Sequence, residues 1–430
     1  MPRVLRHITP SRTRHVALIA ALLVPIGLLH AFLLAEIGIG IVDVLFLIET
    51  FRAGSWRICA KPWFIVAIAW WLWRLICSLP LPTIGLHAAG WYTAFAFALV
   101  IIRFIVFALA LQTWLLTTPR LRKTLWIVIA LSCLWIGLEA WQQYLTGTNV
   151  FGNRRWADGA LTGPFWKPRA GDLFGHLLFV AAVPVATWLF TRRRPAATIA
   201  AYAVAILGIV TAVLIGQRMG TAYAVLGGVS AALFLPRLRL PVLAAIIAAG
   251  AVLLATPVIS PPTHAKLVDE TTTNLTHFSQ SPYGELFSRA ATMGFSRPIF
   301  GYGYNGFKIF CADPIFDSGV PAFHIPPTSA ADNACNLHPH NYYLQAFEEA
   351  GFPGFALFTL MNILFLVPLL RNLIKTKNAY VIALFTGILT YAWPIASTDA
   401  FPTLYEPGWF FLLIGLGLAM AEQKSTSNAP

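Results

Sequence analysis

Two histidines, His338 and His340, stand in the segment Leu337-His338-Pro339-His340-Asn341-Tyr342, where a long polar stretch re-enters an apolar run. A neutral imidazole accepts a proton near neutral pH, so a ring held there can activate a sugar hydroxyl at a membrane surface. Asn341 has the chemistry of a helix N-cap. From it, Asn341, Gln345 and Glu348 recur at i, i+4 and i+7 and draw a polar stripe down a helix that must enter the bilayer. Such a stripe is costly against lipid and turns toward protein or water. Gly351-Phe352-Pro353-Gly354 follows and predicts a kink, because proline removes one helix hydrogen bond and crowds the preceding turn. His340, at the mouth of this element, is the candidate base, and His338 either orients it or has no role. No carboxylate or thiol stands beside the pair at a zinc spacing, so no metal is expected there.

The second chemical group is guanidinium. Arg218 lies in Gly216-Gln217-Arg218-Met219-Gly220, a connection too short to be a soluble domain and flanked by glycines that let backbone approach a ligand. Guanidinium holds phosphate oxygens through paired, charge-assisted hydrogen bonds, so arginines gathered at the outer leaflet point to a lipid-linked phosphate or diphosphate. Arg289 lies in a stretch from Tyr283 to Met293 whose apolar residues recur at helical spacing, as in an amphipathic helix near the membrane surface. Glu285, four residues earlier, offers it a plain helix salt bridge instead. Arg154 and Arg155 are weaker candidates, chosen for side and charge alone. Glu348 and Asp399 are acidic groups that can orient the acceptor or His340, or serve as caps and arginine partners.

These residues must be positioned by membrane-spanning helices. Of the 430 residues, 58% are hydrophobic and only 11% charged, against about a quarter charged in soluble chains. Apolar runs of the roughly 20 residues that a crossing needs recur along the chain, and twelve are expected. The fold class is therefore an all-α polytopic membrane protein, with a large, mainly helical periplasmic loop between spans nine and ten. The expected organisation is spans one to nine over residues 1–259, the loop over 260–340, spans ten to twelve over 341–421 and a tail over 422–430. The first two spans are the weakest, because they are short and carry Glu36 and Asp43.

Lys and Arg collect in alternate connections, beginning with Arg3, Arg6, Arg12 and Arg14, which puts both termini in the cytoplasm. Most of the net charge of +13 then faces anionic headgroups, and nucleic acid is not an expected partner. Arg154, Arg155, Arg218 and Arg289 fall on the opposite side. Cys59, Cys77 and Cys133 lie in or beside spans and read as packing residues. Cys311 and Cys335 share the outer loop, where oxidation is permitted, and are expected to form a disulfide.

At the histidine segment the chain resembles the O-antigen ligase and polymerase superfamily of bacterial envelope enzymes. The ligase pattern of His, a polar residue, nine residues, Gly, two residues and Gly is met by His340, Asn341, Gly351 and Gly354. The layout of about twelve spans, cytoplasmic ends and a large periplasmic loop before this motif is similar too. The resemblance implies an inner-membrane glycosyltransferase that moves a glycan from an undecaprenyl diphosphate carrier to lipid A-core, among membrane lipids, without a cofactor or a required metal. It implies His340 as base and periplasmic arginines, Arg218 and Arg289 foremost, as holders of the departing diphosphate. A polymerase or related oligosaccharyltransferase fits the same residues. A lipid or glycan transporter would also explain the spans and polar stripe, but it predicts inverted repeats and ionisable groups at broken helices near the midplane, and neither is clear in the sequence.

Overall fold

A computed structural model describes residues 12–80, 91–328, 335, 338–396, 398 and 404–422. The chain opens with α1 (Arg12–His30) and α2 (Phe32–Arg52), which fold back on each other across Ala31. There follow α3 (Pro62–Cys77), α4 (Trp91–Val100), α5 (Ile102–Ala110), α6 (Pro119–Thr146), α7 (Ala170–Thr191), α8 (Pro195–Ile215), α9 (Arg218–Phe234) and α10 (Arg239–Ile259). Among the described residues, four shorter α-helices build the connection after α10: α11 (Pro261–His264), α12 (Glu270–Thr276), α13 (Pro282–Ser296) and α14 (Gly306–Phe310). The chain ends with α15 (Tyr342–Thr376), α16 (Ala379–Tyr391) and α17 (Tyr405–Ala421). Among the described residues there is no strand, only isolated bridges at Thr148 with Arg154 and Val320 with Ile325.

Seven stretches among the described residues are long and apolar enough to cross a membrane: Arg12–His30, Tyr92–Leu115, Pro119–Thr146, Ala170–Thr191, Pro195–Ile215, Pro236–Ile259 and Tyr342–Thr376. Helices α3, α16 and α17 are apolar but shorter. Helix α2 is long enough, yet Glu36, Asp43, Glu49 and Arg52 charge it too heavily to count by composition. Two of these find internal partners or burial: Glu36 takes the Arg103 guanidinium through both carboxylate oxygens, and Asp43 is buried.

Helix α17 is apolar all round, and every residue from Tyr405 to Met420 is buried, as expected for a central pillar. Around it stand α1, α5, α6, α15 and α16. Outer helices show the inverse pattern: Leu254 and Val258 of α10 are more than four-fifths exposed, the apolar exterior that lipid accommodates. Helix α7 packs between α6, α8, α9 and α16. At its crossing with α9 the backbones nearly touch, because a Cβ on Gly220 would lie 2.2 Å from the Gly171 carbonyl oxygen and one on Gly175 would lie 2.6 Å from that of Gly220. Small residues at such crossings let helices gain van der Waals contact where lipid supplies no hydrophobic drive. The crossing fixes the start of α9, where Arg218 sits.

Helix α15 is broken, but upstream of the proline. Ala350 (φ −141°, ψ 15°) and Gly351 (φ 63°, ψ −166°) leave helical geometry, while Pro353 sits in the first turn of the second half, where a missing N–H is harmless. The carbonyls freed by the break are taken up by the connection between α10 and α15: Tyr302 N–H donates to Glu348 O and Gly303 N–H to Glu349 O, both at 2.8 Å. The Trp73 indole donates to Ala350 O at 2.9 Å, and Phe352 N–H donates to Pro298 O at 2.7 Å. The segment Arg297 to Gly306 is thus stitched into the break. A Cβ on Gly351 would come within 2.4 Å of the Pro298 and Ile299 carbonyls, so both φ and space demand glycine.

Candidate active site

Asn341 caps α15, its side-chain oxygen accepting from Tyr343 N–H and Leu344 N–H at 3.0 Å. Its amide nitrogen donates to Pro394 O at 2.8 Å and Ala396 O at 3.1 Å, and the Tyr343 hydroxyl donates to Ala392 O at 2.7 Å. The cap therefore ties the segment after α16 to the start of α15. His340, immediately before the cap, adopts φ 52°. Its carbonyl accepts from Thr398 N–H at 2.8 Å, and its Nδ1 lies 3.0 Å from Thr398 O. A carbonyl oxygen can only accept, so Nδ1 carries a proton and Nε2 is the basic nitrogen of the neutral ring. This is the second-partner logic that orients catalytic imidazoles generally. His338 is buried and packs its ring on His340, centroids 4.2 Å apart at 53°.

Arg218 opens α9 and is about a quarter exposed. Its guanidinium carbon lies 5.7 Å from the centre of the Tyr283 ring, and the same ring meets His340 edge-on at 5.9 Å. One phenol ring therefore separates the His340 imidazole from the Arg218 guanidinium. The remaining partner of Arg218 is Glu270, at 3.6 Å, whose side chain is more than half exposed, a pair too solvated to hold the arginine firmly. Beside Arg218 opens a groove of about 620 Å³. Tyr223, Leu226 and Val229 of α9, Leu253 of α10, Leu267, and Trp393 and Ile395 line it, so it is mostly apolar, with Arg218, Thr221 and Thr271 as its polar residues. Trp393 and Ile395 belong to the segment that Asn341 and His340 hold, so the groove and the His340 imidazole share one wall. A cavity of about 10 Å³ beside Phe46 and Trp114 is too small for any substrate.

Arg289 is fully buried on α13, donating to Asp317 Oδ1 at 2.5 Å and to Asp313 O at 3.3 Å. Through Asp313 and Asp317 it clasps the connection between α10 and α15. Arg154 is exposed, and Arg155 donates to Gly159 O and Ser260 Oγ, each at 3.2 Å. Burial lowers the pKa of the Arg155 guanidinium. Glu348 is buried in the network at the α15 break with Glu349, which pairs with buried Arg74 and accepts from Gln345 at 2.9 Å. The polar stripe thus turns from the His340 mouth into a structural network. Asp399 lies outside the described residues. Cys311 and Cys335 are joined in a disulfide, Cα atoms 5.7 Å apart, a few residues ahead of His338.

Residues 203–359 match the family model for O-antigen ligase. This match supports the O-antigen ligase superfamily for that segment. The matched residues run from within α8 into the second half of α15 and contain Arg218, Tyr283, Arg289, His340 and the break at Gly351. The family supports glycan transfer of the O-antigen ligase and polymerase type, with glycan-lipid substrates, by a multi-pass membrane protein. No curated protein matches the sequence.

Within this candidate site, sequence reasoning missed Tyr283, the Thr398 carbonyl, and the groove wall at Trp393 and Ile395. Tyr283 reads in sequence as the start of an amphipathic helix, and nothing local marks its double contact with Arg218 and His340. A backbone carbonyl leaves no trace in residue type. The groove wall lies more than fifty residues after His340 and comes to it only through the Asn341 cap.

Proposed function

We propose that this protein transfers a glycan from undecaprenyl diphosphate to lipid A-core, as an O-antigen ligase, with no metal in the transfer step. The observation that carries the reading is the juxtaposition of an apolar groove, an arginine at its end and an oriented imidazole one ring away. The groove suits a polyprenyl tail. Arg218 suits the diphosphate at the head of that tail, because its Glu270 partner is weak and its guanidinium can take two phosphate oxygens at once. His340 Nε2 takes the proton of the acceptor hydroxyl as that oxygen bonds to the anomeric carbon. The bond from this carbon to the diphosphate oxygen breaks, and the electron pair leaves with the diphosphate held by Arg218. Attack from the face opposite the leaving group inverts the anomeric centre.

Arg289, engaged with Asp317, is assigned to holding the outer connection in shape. It reaches a diphosphate only by exchanging Asp317 for it. Arg154 and Arg155 are assigned to the connection between α6 and α7. In this reading α2, α3, α9, α16 and α17 also cross or line the bilayer, giving about twelve spans. Both termini then face the cytoplasm of an inner membrane, and residues 260–340 face the periplasm.

Besides the spans and the polar stripe, the broken α15 with carboxylates at the break is a feature that a transporter would share. Here the freed carbonyls are taken by Tyr302, Gly303 and Trp73, so the break anchors the outer connection instead of coordinating a carried ion. Purified protein given an undecaprenyl diphosphate glycan, with lipid A-core or a second carrier-linked repeat as acceptor, tests the assignment. A lipid A-core product with inverted linkage by NMR is expected. A product only on the carrier-linked acceptor makes the protein a polymerase, and retention of configuration removes the single-displacement step.

A further inference from the structure

On the far side of the groove wall lies a second cluster of chemistry-bearing groups that the transfer reading does not use. Asp172 and His176 stand four residues apart on one face of α7, and Glu406, in the first turn of α17, faces them. One carboxylate oxygen of each acid and a ring nitrogen of His176 all lie within 4.8 Å of one another. His176 and Glu406 are each about 3% exposed. We propose that Asp172, His176 and Glu406 form a binding site for a divalent transition ion, Zn²⁺ foremost, that ties the outer end of α7 to α17.

The contacts of His176 support this. With the Thr390 hydroxyl donating to Gly387 O at 2.7 Å, its oxygen is left to accept from His176 Nδ1, 2.8 Å away. In that tautomer the lone pair of the neutral ring sits on Nε2, the nitrogen 3.7 Å from Asp172 Oδ2. Adjacent ligands of a tetrahedral zinc with bonds of roughly 2.1 Å lie about 3.4 Å apart, close to that separation. The outer shell has the form that metal-bound histidines show, the second ring nitrogen donating to a fixed oxygen. Tyr391 and Tyr223 stack on the His176 ring, centroids 3.6 and 4.2 Å away, and hold its plane. The donor set of one imidazole and two carboxylates, neutralised by a dication, suits zinc better than the all-oxygen ions magnesium and calcium.

The site does not depend on the glycan-transfer reading, since none of its ligands is assigned to the reaction. Tyr223 lines the groove, so the ion would stiffen the wall from behind one aromatic ring.

The test uses tag-free, full-length protein in detergent, stripped with a chelator and then titrated with Zn²⁺, Mn²⁺ or Mg²⁺. Bound metal is read by mass spectrometry and melting temperature by fluorescence. One tightly held Zn²⁺ per chain is expected, with a melting temperature that rises with Zn²⁺ and falls again on chelation. His176→Gln should abolish retention. Thr390→Val, which keeps all three ligands but frees the ring, should weaken Zn²⁺ about 10–100-fold, and this variant decides the matter if His176→Gln does not fold. Wild type that retains no stoichiometric Zn²⁺, equal retention by His176→Gln or Thr390→Val, or Mg²⁺ binding as tight as Zn²⁺ overturns the proposal.

Discussion

Replacing Gly220 with Ala tests whether the α7–α9 crossing positions the site. The added Cβ would lie 2.2 Å from the Gly171 carbonyl oxygen and 2.4 Å from its carbon, both backbone atoms that cannot rotate away. Ordinary contact begins near 3.4 Å, so the two helices must part by about 1 Å, an overpacking expected to cost about 1–3 kcal/mol. Arg218 lies two residues from Gly220, and Gln217 accepts from Gly171 N–H and Asp172 N–H across the same crossing. The start of α9 therefore moves with the separation. A displacement of about 1 Å in a positioning element can lower a rate by roughly 100-fold. The assay pairs melting temperature with transfer rate in detergent. Gly250→Ala in α10, where nothing lies within 4 Å of the new Cβ, serves as control and should leave both unchanged or the melting temperature slightly higher. A Gly220→Ala protein that transfers at the wild-type rate, whether or not it is destabilised, refutes the link between this crossing and the site.

Arg218→Lys keeps the charge but loses the paired hydrogen bonds to phosphate, and should lower kcat/KM for the lipid-linked donor about 10–100-fold at unchanged melting temperature. A wild-type value would remove Arg218 from the diphosphate. Arg74→Ala strands the buried Glu349 carboxylate and should destabilise by about 3–5 kcal/mol, read as a lowered melting temperature; Arg74→Ala with Glu349→Gln should recover part of it. Replacing both Cys311 and Cys335 with Ser opens a closure over a sequence separation of 24 and should cost about 3 kcal/mol by the chain-entropy account. An unchanged melting temperature would mean the outer connection is held by Arg289 and the α15 break alone.

The sequence carries the all-helical class well because composition is a bulk property, and long apolar runs admit little else in lipid. Boundaries are less legible where charge is neutralised internally. Glu36 and Asp43 make α2 read as a doubtful span, and only the structure shows Glu36 closed on Arg103 and Asp43 buried. The break in α15 is visible as Gly351 and Pro353, but its cause is not: proline suggests a kink, while the actual break comes from Gly351 meeting the Pro298 and Ile299 carbonyls. Of the site, His340 and Arg218 are legible from residue type and placement. Tyr283, which joins them, is not, because edge-on ring contacts depend on tertiary position. Arg289 is legible as an important cation but not in its contacts, since Asp317 lies 28 residues away in a stretch without regular pattern.

The central claim is that His340 Nε2 takes the acceptor proton, and the most direct measurement is transfer by His340→Ala under single-turnover conditions alongside donor binding by the same protein. The account predicts that donor binding and melting temperature stay near wild type, because groove and Arg218 are intact, while product falls below detection. Product formed at the wild-type rate would contradict it.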